Sequence, residues 1–308
     1  MRKAVIRAVV SAAVVLGALT PAPARAWDAP GHLATGDIAY DVLSTRNPKT
    51  VAAIVAIMRD HPDRALFEQR LAGLSGKARE RRLFALMAVW PDDARDTPQD
   101  HPEWHYALKV VSWARFVFPF QVGGADKAFR DKLAIARDPK APGAQRAIAL
   151  CWVMHLVGDL HQPLHTGHWL SLTYPKTDRG GTIAYVRPRP GGAPISIHYI
   201  WDMAPNRPAP DRYVDADMMA ARVERSHPRP AHGDLKPDVQ ASLHGWQKES
   251  WDLAKTEAYR DGAIKTDPAQ AKAPALPAGY TDKMRGVADA RIAKAGYRLA
   301  EVLALMPT

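Results

Sequence analysis

His155 and Asp159 stand four residues apart in the run Ala147–Leu160, which is otherwise almost wholly apolar. On a helix this spacing puts an imidazole and a carboxylate on one face, about a turn apart, where both reach a common point. A surface ion pair would show the same spacing. A carboxylate inside so apolar a helix, however, must be paired or coordinated, which favours a metal site. His198 and Asp202 repeat the spacing, and His165 follows Pro163, where the helix has to have ended. Asp92 lies just past a helix in Trp90-Pro91-Asp92-Asp93-Ala94-Arg95, His105 lies in Trp104-His105-Tyr106, and His32 lies near the N-terminal end of the chain. Nitrogen and carboxylate donors without a thiolate suit zinc, and they exceed what one tetrahedral ion needs. The other seven of the twelve histidines (His61, His101, His161, His168, His227, His232, His244) read as surface or satisfied core residues.

The elements that position these side chains follow from pattern. Met1-Arg2-Lys3 with Arg7, the apolar stretch Val9–Leu19 and the A-x-A site Ala24-Arg25-Ala26 together predict a signal peptide over 1–26. An N-terminal membrane anchor is the alternative, disfavoured by the short apolar run. Cleavage would start the mature chain at Trp27 and export it, to the periplasm or the medium. Losing four basic residues and no acidic ones takes the formal net charge from +10 to +6, a weak preference for polyanions. Helical spacing of apolar residues runs over Gly36–Leu43, Thr50–Ile57, Gly76–Trp90, Ala144–Leu160, Ser242–Tyr259 and Thr281–Leu305. Strand pattern is sparse: Thr182–Val186 and Ile195–Ile197, across a Pro/Gly-rich turn, read as one hairpin. The expectation is a single, mainly α domain over 27–308 with a small inserted β-hairpin. The lone Cys151 cannot form an internal disulfide, and in an apolar helix it reads as a buried, inert thiol.

Taken in order, these segments resemble the secreted trinuclear-zinc single-strand nucleases and 3′-nucleotidases of the S-one/P-one type. The resemblance rests on Trp27-Asp28-Ala29-Pro30-Gly31-His32, on Trp90-Pro91-Asp92 with Arg95, and on Trp104-His105-Tyr106. It is most specific in His155-Leu156-Val157-Gly158-Asp159-Leu160-His161-Gln162-Pro163-Leu164-His165, and continues through His198-Tyr199-Ile200-Trp201-Asp202 to Ala295-Gly296-Tyr297-Arg298-Leu299-Ala300. The resemblance implies the helical fold shared with zinc-dependent phospholipase C and three zinc ions. Asp92, His105, His155 and Asp159 would hold the first. His165, His198 and Asp202 would hold the second. The third would take the amine and carbonyl of Trp27, His32, and Asp159 as a bridge. It further implies catalysis by zinc-activated water at Asp92 and Asp159, a phosphate clamp at Arg95, and stacking of a base on Tyr106. Single-stranded DNA and RNA, cut to 5′-phosphorylated products, and 3′-nucleotides are the implied substrates. A monomer without stable membrane association is expected.

Three departures from the family pattern touch base recognition rather than the metals. Ala107–Val111 follows the His-aromatic element where the family carries Asp or Asn; Gly180-Gly181-Thr182 replaces Gly-Gly-Asn; and the disulfides of eukaryotic relatives are absent. Lys109 or the hairpin residues Lys176, Arg179 and Arg187 offer alternative phosphate contacts. The rival enzyme is a zinc-dependent phospholipase C, against which stand Asp202, where Glu is usual, and the short gap from Trp27 to His32. A non-catalytic zinc-storage protein would carry His-rich tracts instead of dispersed ligands.

Overall fold

The computed structural model describes residues 27–112, 120–231 and 233–308. The predicted signal peptide and His232 lie outside the described residues. Helices dominate: α1 (Ala29–Arg46), α2 (Pro48–Ile57), α3 (Arg64–Arg70) and α4 (Gly76–Asp93) precede the strands β1 (Leu108–Val111) and β2 (Gln121–Val122). Helices α5 (Ala125–Arg137) and α6 (Gly143–Asp159) follow, then β3 (Gly167–Trp169), β4 (Tyr185–Val186) and β5 (Ile195–Ser196). The chain closes with α7 (Ile197–Asp202), α8 (Arg212–Ser226), α9 (Val239–Leu253) and α10 (Tyr280–Leu303).

Helix α6 is apolar around its whole circumference, and such a helix has to be buried. Every residue from Ala149 to Leu160 is buried, with α4, α5 and α10 packed around it. Truncating a side chain there, such as Leu156→Ala, would cost about 2–5 kcal/mol. Helix α1 packs on α4, α8 and α10, so the helices that carry His32, Asp92 and Asp159 share one core. Among the described residues no helix is long and apolar enough to cross a membrane.

The strands depart from expectation in an informative way. The hairpin forms where the pattern puts it, with Tyr185 opposite Ser196 and Val186 opposite Ile195. It is shorter than the pattern suggests, because Ile197 already belongs to α7. Ser196 ends the strand and starts the helix, its hydroxyl accepting the Tyr199 N–H at 3.2 Å. A second sheet, ordered β2-β1-β3, has no counterpart among the sequence expectations. Strand β1 runs antiparallel to β2 and parallel to β3, with Lys109 opposite Gly167 and Val110 opposite His168. The pairing is made between strands distant in sequence, and runs this short have too few alternations to reveal it.

Candidate metal centre

The parallel pair explains how His105 and His165 come together. Three residues past His105 the chain enters β1, and two past His165 it enters β3. The Ala107 N–H donates to the His165 carbonyl at 2.9 Å, and the Lys109 N–H to the Thr166 carbonyl at 2.8 Å. The His165 Nδ1 donates to the His105 carbonyl at 2.7 Å. The segment Ala107–Val111, which departs from the family pattern, is therefore a strand that holds two histidines in register.

Asp92 is one correction to the sequence reading: it sits inside the last turn of α4, not past it. Pro91 lacks the N–H of a helical residue, and the helix ends two residues later. One Asp92 oxygen, Oδ1, accepts Arg95 at 2.6 Å, and the other has no hydrogen-bond partner. His155 faces α4, its Nδ1 donating to the Ala88 carbonyl at 2.8 Å. His198 is held likewise by the Gly180 carbonyl at 2.7 Å. Gly180 has φ +66, and a Cβ there would meet the Leu164 carbonyl at 2.5 Å, so the Gly180-Gly181 pair serves His198. In each of these three histidines a carbonyl holds the Nδ1 proton, which leaves Nε2 as the donor to a metal.

The side chains converge in three buried groups whose ligand atoms lie within 4.8 Å of one another: His32 with Asp92 and His155; His105 with His155 and Asp159; His165 with His198 and Asp202. Asp159 stands between two of them. Its Oδ1 lies 3.3 Å from His32 Nε2, while its Oδ2 lies 3.0 Å from His105 Nδ1 and 3.3 Å from His155 Nε2. The rings of His32 and His155 stack at 3.9 Å. Gly158 permits this, since a Cβ there would meet His32 Nδ1 at 2.9 Å. In the third group His198 Nε2 is 3.5 Å from Asp202 Oδ2. Trp27 is fully buried beside the centre, its indole N–H donating to the Gly158 carbonyl at 3.1 Å.

The electrostatics suit cations. Burial pushes the imidazoles of His155 and His165 down to about 3, so both are neutral ligands. Burial opposes ionisation of Asp159, yet the imidazoles of His155, His105 and His32 outweigh it and hold the carboxyl well below the usual range. Asp92 behaves similarly, with His155, His105, His32 and Arg95 overcoming burial to bring it to about 2. Asp202 is pushed well above the usual range by burial, and the nearby carboxylates add to this. Asp92 Oδ2, Asp159 Oδ1, Asp202 Oδ2, His105 Nε2, His165 Nε2 and both ring nitrogens of His32 are buried without a hydrogen-bond partner. Orphaned buried donors and acceptors in such number cost too much to be incidental. Their chemistry, imidazole and carboxylate alone, fits metal ions.

Arg95 and Tyr106 flank the ligands. Tyr106 is half-buried, its ring stacked on His165 at 4.6 Å. Gln162 escaped the sequence reading: its Nε2 donates to Asp202 Oδ1 at 2.6 Å, and its Oε1 accepts the Leu164 N–H. Its place between Asp159 and His165 was the one signal of this role. Arg187 is a second correction, because its guanidinium is spent on the carbonyls of Ala273 and Gly192. Lys176 and Arg179 are exposed and precede the hairpin instead of lying in it. Cys151 is buried, and burial pushes its thiol well up, as an inert thiol requires.

Fold and site together define a helical protein built around buried groups of histidine and aspartate that could hold metal ions. The chain belongs to the S1/P1 nuclease family: the family model described as S1/P1 Nuclease matches residues 27–307. The chain is also similar to Nuclease S1 of Aspergillus oryzae (strain ATCC 42149 / RIB 40), at 27% identity over 182 residues. That match takes in 53% of this chain and 56% of the relative, so it spans little more than half the relative's length. Family membership favours the nuclease over the phospholipase reading.

Proposed function

We propose that this chain is an exported zinc-dependent endonuclease that hydrolyses single-stranded DNA and RNA to 5′-phosphorylated products and also accepts 3′-nucleotides. The observation that carries the reading is Asp159, whose two oxygens face two different groups of buried ligand atoms. Asp92, His105, His155 and Asp159 hold the first zinc, and His165, His198 and Asp202 the second. His32, Asp159 and the amine and carbonyl of Trp27 hold the third. Only cleavage after Ala26 provides that amine, which ties export to the centre. The mature chain, 27–308, is one domain and a monomer.

Bound zinc lowers the pKa of water to about 7 and neutralises charge gathering on a phosphodiester. The chain's own groups bind and orient. Arg95, held on Asp92 Oδ1, presents a planar fork to a phosphate oxygen beside the cluster. Tyr106, backed by His165, offers a surface on which a base can stack. Gln162 keeps Asp202 turned toward His198 and His165. Burial keeps bulk water from the ligands and holds the His155 and His165 imidazoles unprotonated.

The test combines elemental analysis of the mature protein with turnover of single-stranded DNA, double-stranded DNA and phosphatidylcholine. Three zincs per chain and preference for the single strand are expected. One zinc or none in active protein overturns the metal assignment. Faster turnover of phosphatidylcholine overturns the nuclease assignment.

A further inference from the structure

We propose that Arg291 and Arg298 of α10 are positioning residues for the metal centre, clamping the turn between Asp159 and His165 and so setting how tightly it holds its ions. The inference rests on the reading of those residues as zinc ligands given above.

Asp159 ends α6, and the chain then turns through Leu160, His161 and Gln162 before reaching His165. Each of these three residues is tied down. Ser250 of α9 donates its hydroxyl to the Leu160 carbonyl at 2.6 Å. Arg291 donates Nε to the His161 carbonyl at 3.1 Å and one terminal nitrogen to the Ser250 hydroxyl at 2.7 Å. The His161 ring donates Nδ1 to the Val157 carbonyl at 2.7 Å, which leaves Nε2 to accept Arg298 at 2.9 Å. Gln162 carries the constraint on to Asp202. Arg291 and Arg298 are two helical turns apart on one face of α10, with side chains only 4% and 5% exposed.

Burying two guanidiniums is a poor way to stabilise a protein, since well-packed apolar residues often do as well or better. What the pair supplies is geometry. Glu249 and Asp234 take up their charge, and the remaining donors grip His161, two residues past Asp159 and four before His165. They also place positive charge at the C-terminal end of α6, where the helix dipole is negative. Asp289, on the same helix, pairs with Arg222 at 3.0 Å and Arg207 at 3.3 Å and belongs to a separate network. It therefore separates positioning from plain stability.

The experiment compares the mature wild type with Arg291→Lys, Arg298→Lys, Ser250→Ala and Asp289→Asn. Zinc retention is read by titration with a competing chelator, alongside the Tm of the metal-free proteins and kcat and KM for a single-stranded oligonucleotide. Lysine keeps the charge but loses the fork. Both lysine variants are expected to release zinc about tenfold more readily, the low end for groups that orient a metal ligand. Their kcat should fall at limiting zinc and recover in excess zinc, with KM unchanged. Ser250→Ala, the mildest change, should move the same way by less. Asp289→Asn should lower Tm alone. Zinc held as in wild type by the lysine and Ser250 variants overturns the clamp. A wild type that binds no zinc overturns the reading of the centre, and the clamp falls with it.

Discussion

Two buried polar regions flank the C-terminal end of α6, and they are built on opposite terms. In one, His32, Asp92, His105, Asp159, His165 and Asp202 leave buried nitrogens and oxygens without hydrogen bonds. In the other, every nitrogen of Arg291 and Arg298 and both oxygens of Glu249 are bonded, as are both ring nitrogens of His161. The regions share a segment of chain: His161 belongs to the closed network, and Asp159, two residues earlier, to the open one. A buried polar network that satisfies itself fixes a shape, whereas one that does not is shaped for something else to satisfy. Charge alone does not tell the two apart; the distribution of unmet bonds does.

Removing metal should give the largest contrast between the regions. Chelation is expected to abolish nuclease activity and to lower Tm, because ions bind the folded chain alone. At a free metal concentration a thousandfold above Kd that stabilisation reaches about 4 kcal/mol. Activity and Tm unmoved by chelator, and unmoved by restored zinc, would erase the distinction. Next is Asp159→Asn, which leaves one weaker donor where the proposed function has two metals bridged. Turnover should drop at least about a hundredfold, beyond the range for groups that only orient ligands, with at least one zinc lost. Near-wild-type turnover would show that no metal is bridged there. Arg95→Ala touches the edge of the open region without removing a ligand. Its kcat/KM should fall on the order of a hundredfold with zinc content intact, as for a lost donor to developing charge. Loss of zinc instead would make Arg95 a support for Asp92 and not a phosphate clamp.

The smallest effect on activity concerns Asp178, a buried carboxyl outside both regions, which burial pushes up to about 7. Between the unfolded carboxyl range near 4 and pH 7, the folded chain keeps a proton that the unfolded chain has lost. Stability of the metal-free protein should therefore fall as pH rises through that window, by up to about 1.4 kcal/mol per unit. Denaturant unfolding of the metal-free chain at several pH values measures the slope. Asp178→Asn should reduce it, the remainder belonging to other raised carboxyls such as Asp28, Asp37 and Asp202, and an unchanged slope would assign it wholly to those groups.

Much of this protein is legible in its sequence. The apolar run around His155 and Asp159 declares a buried helix, and a buried carboxylate declares a partner; both inferences need only local sequence and the cost of burying charge. The end of α6 follows from Pro163 and the place of the hairpin, though not its length, from alternation, and the ordered segments carry the family resemblance. The parallel pairing of β1 with β3 is not legible, because two short runs nearly sixty residues apart carry no mark of each other. In sequence Arg187 looks like a free cation, though carbonyls hold its guanidinium, and Gln162 looks like a spacer. His161 and His165 lie four residues apart in one motif; the sequence sets them apart, but only the structure shows that one closes a network with Arg298 and the other joins His198 and Asp202. Residue type and helical period act locally and are written in the chain. Which buried atoms end without a partner depends on the packing of α4, α6, α7 and α10 together, and only the tertiary structure decides that.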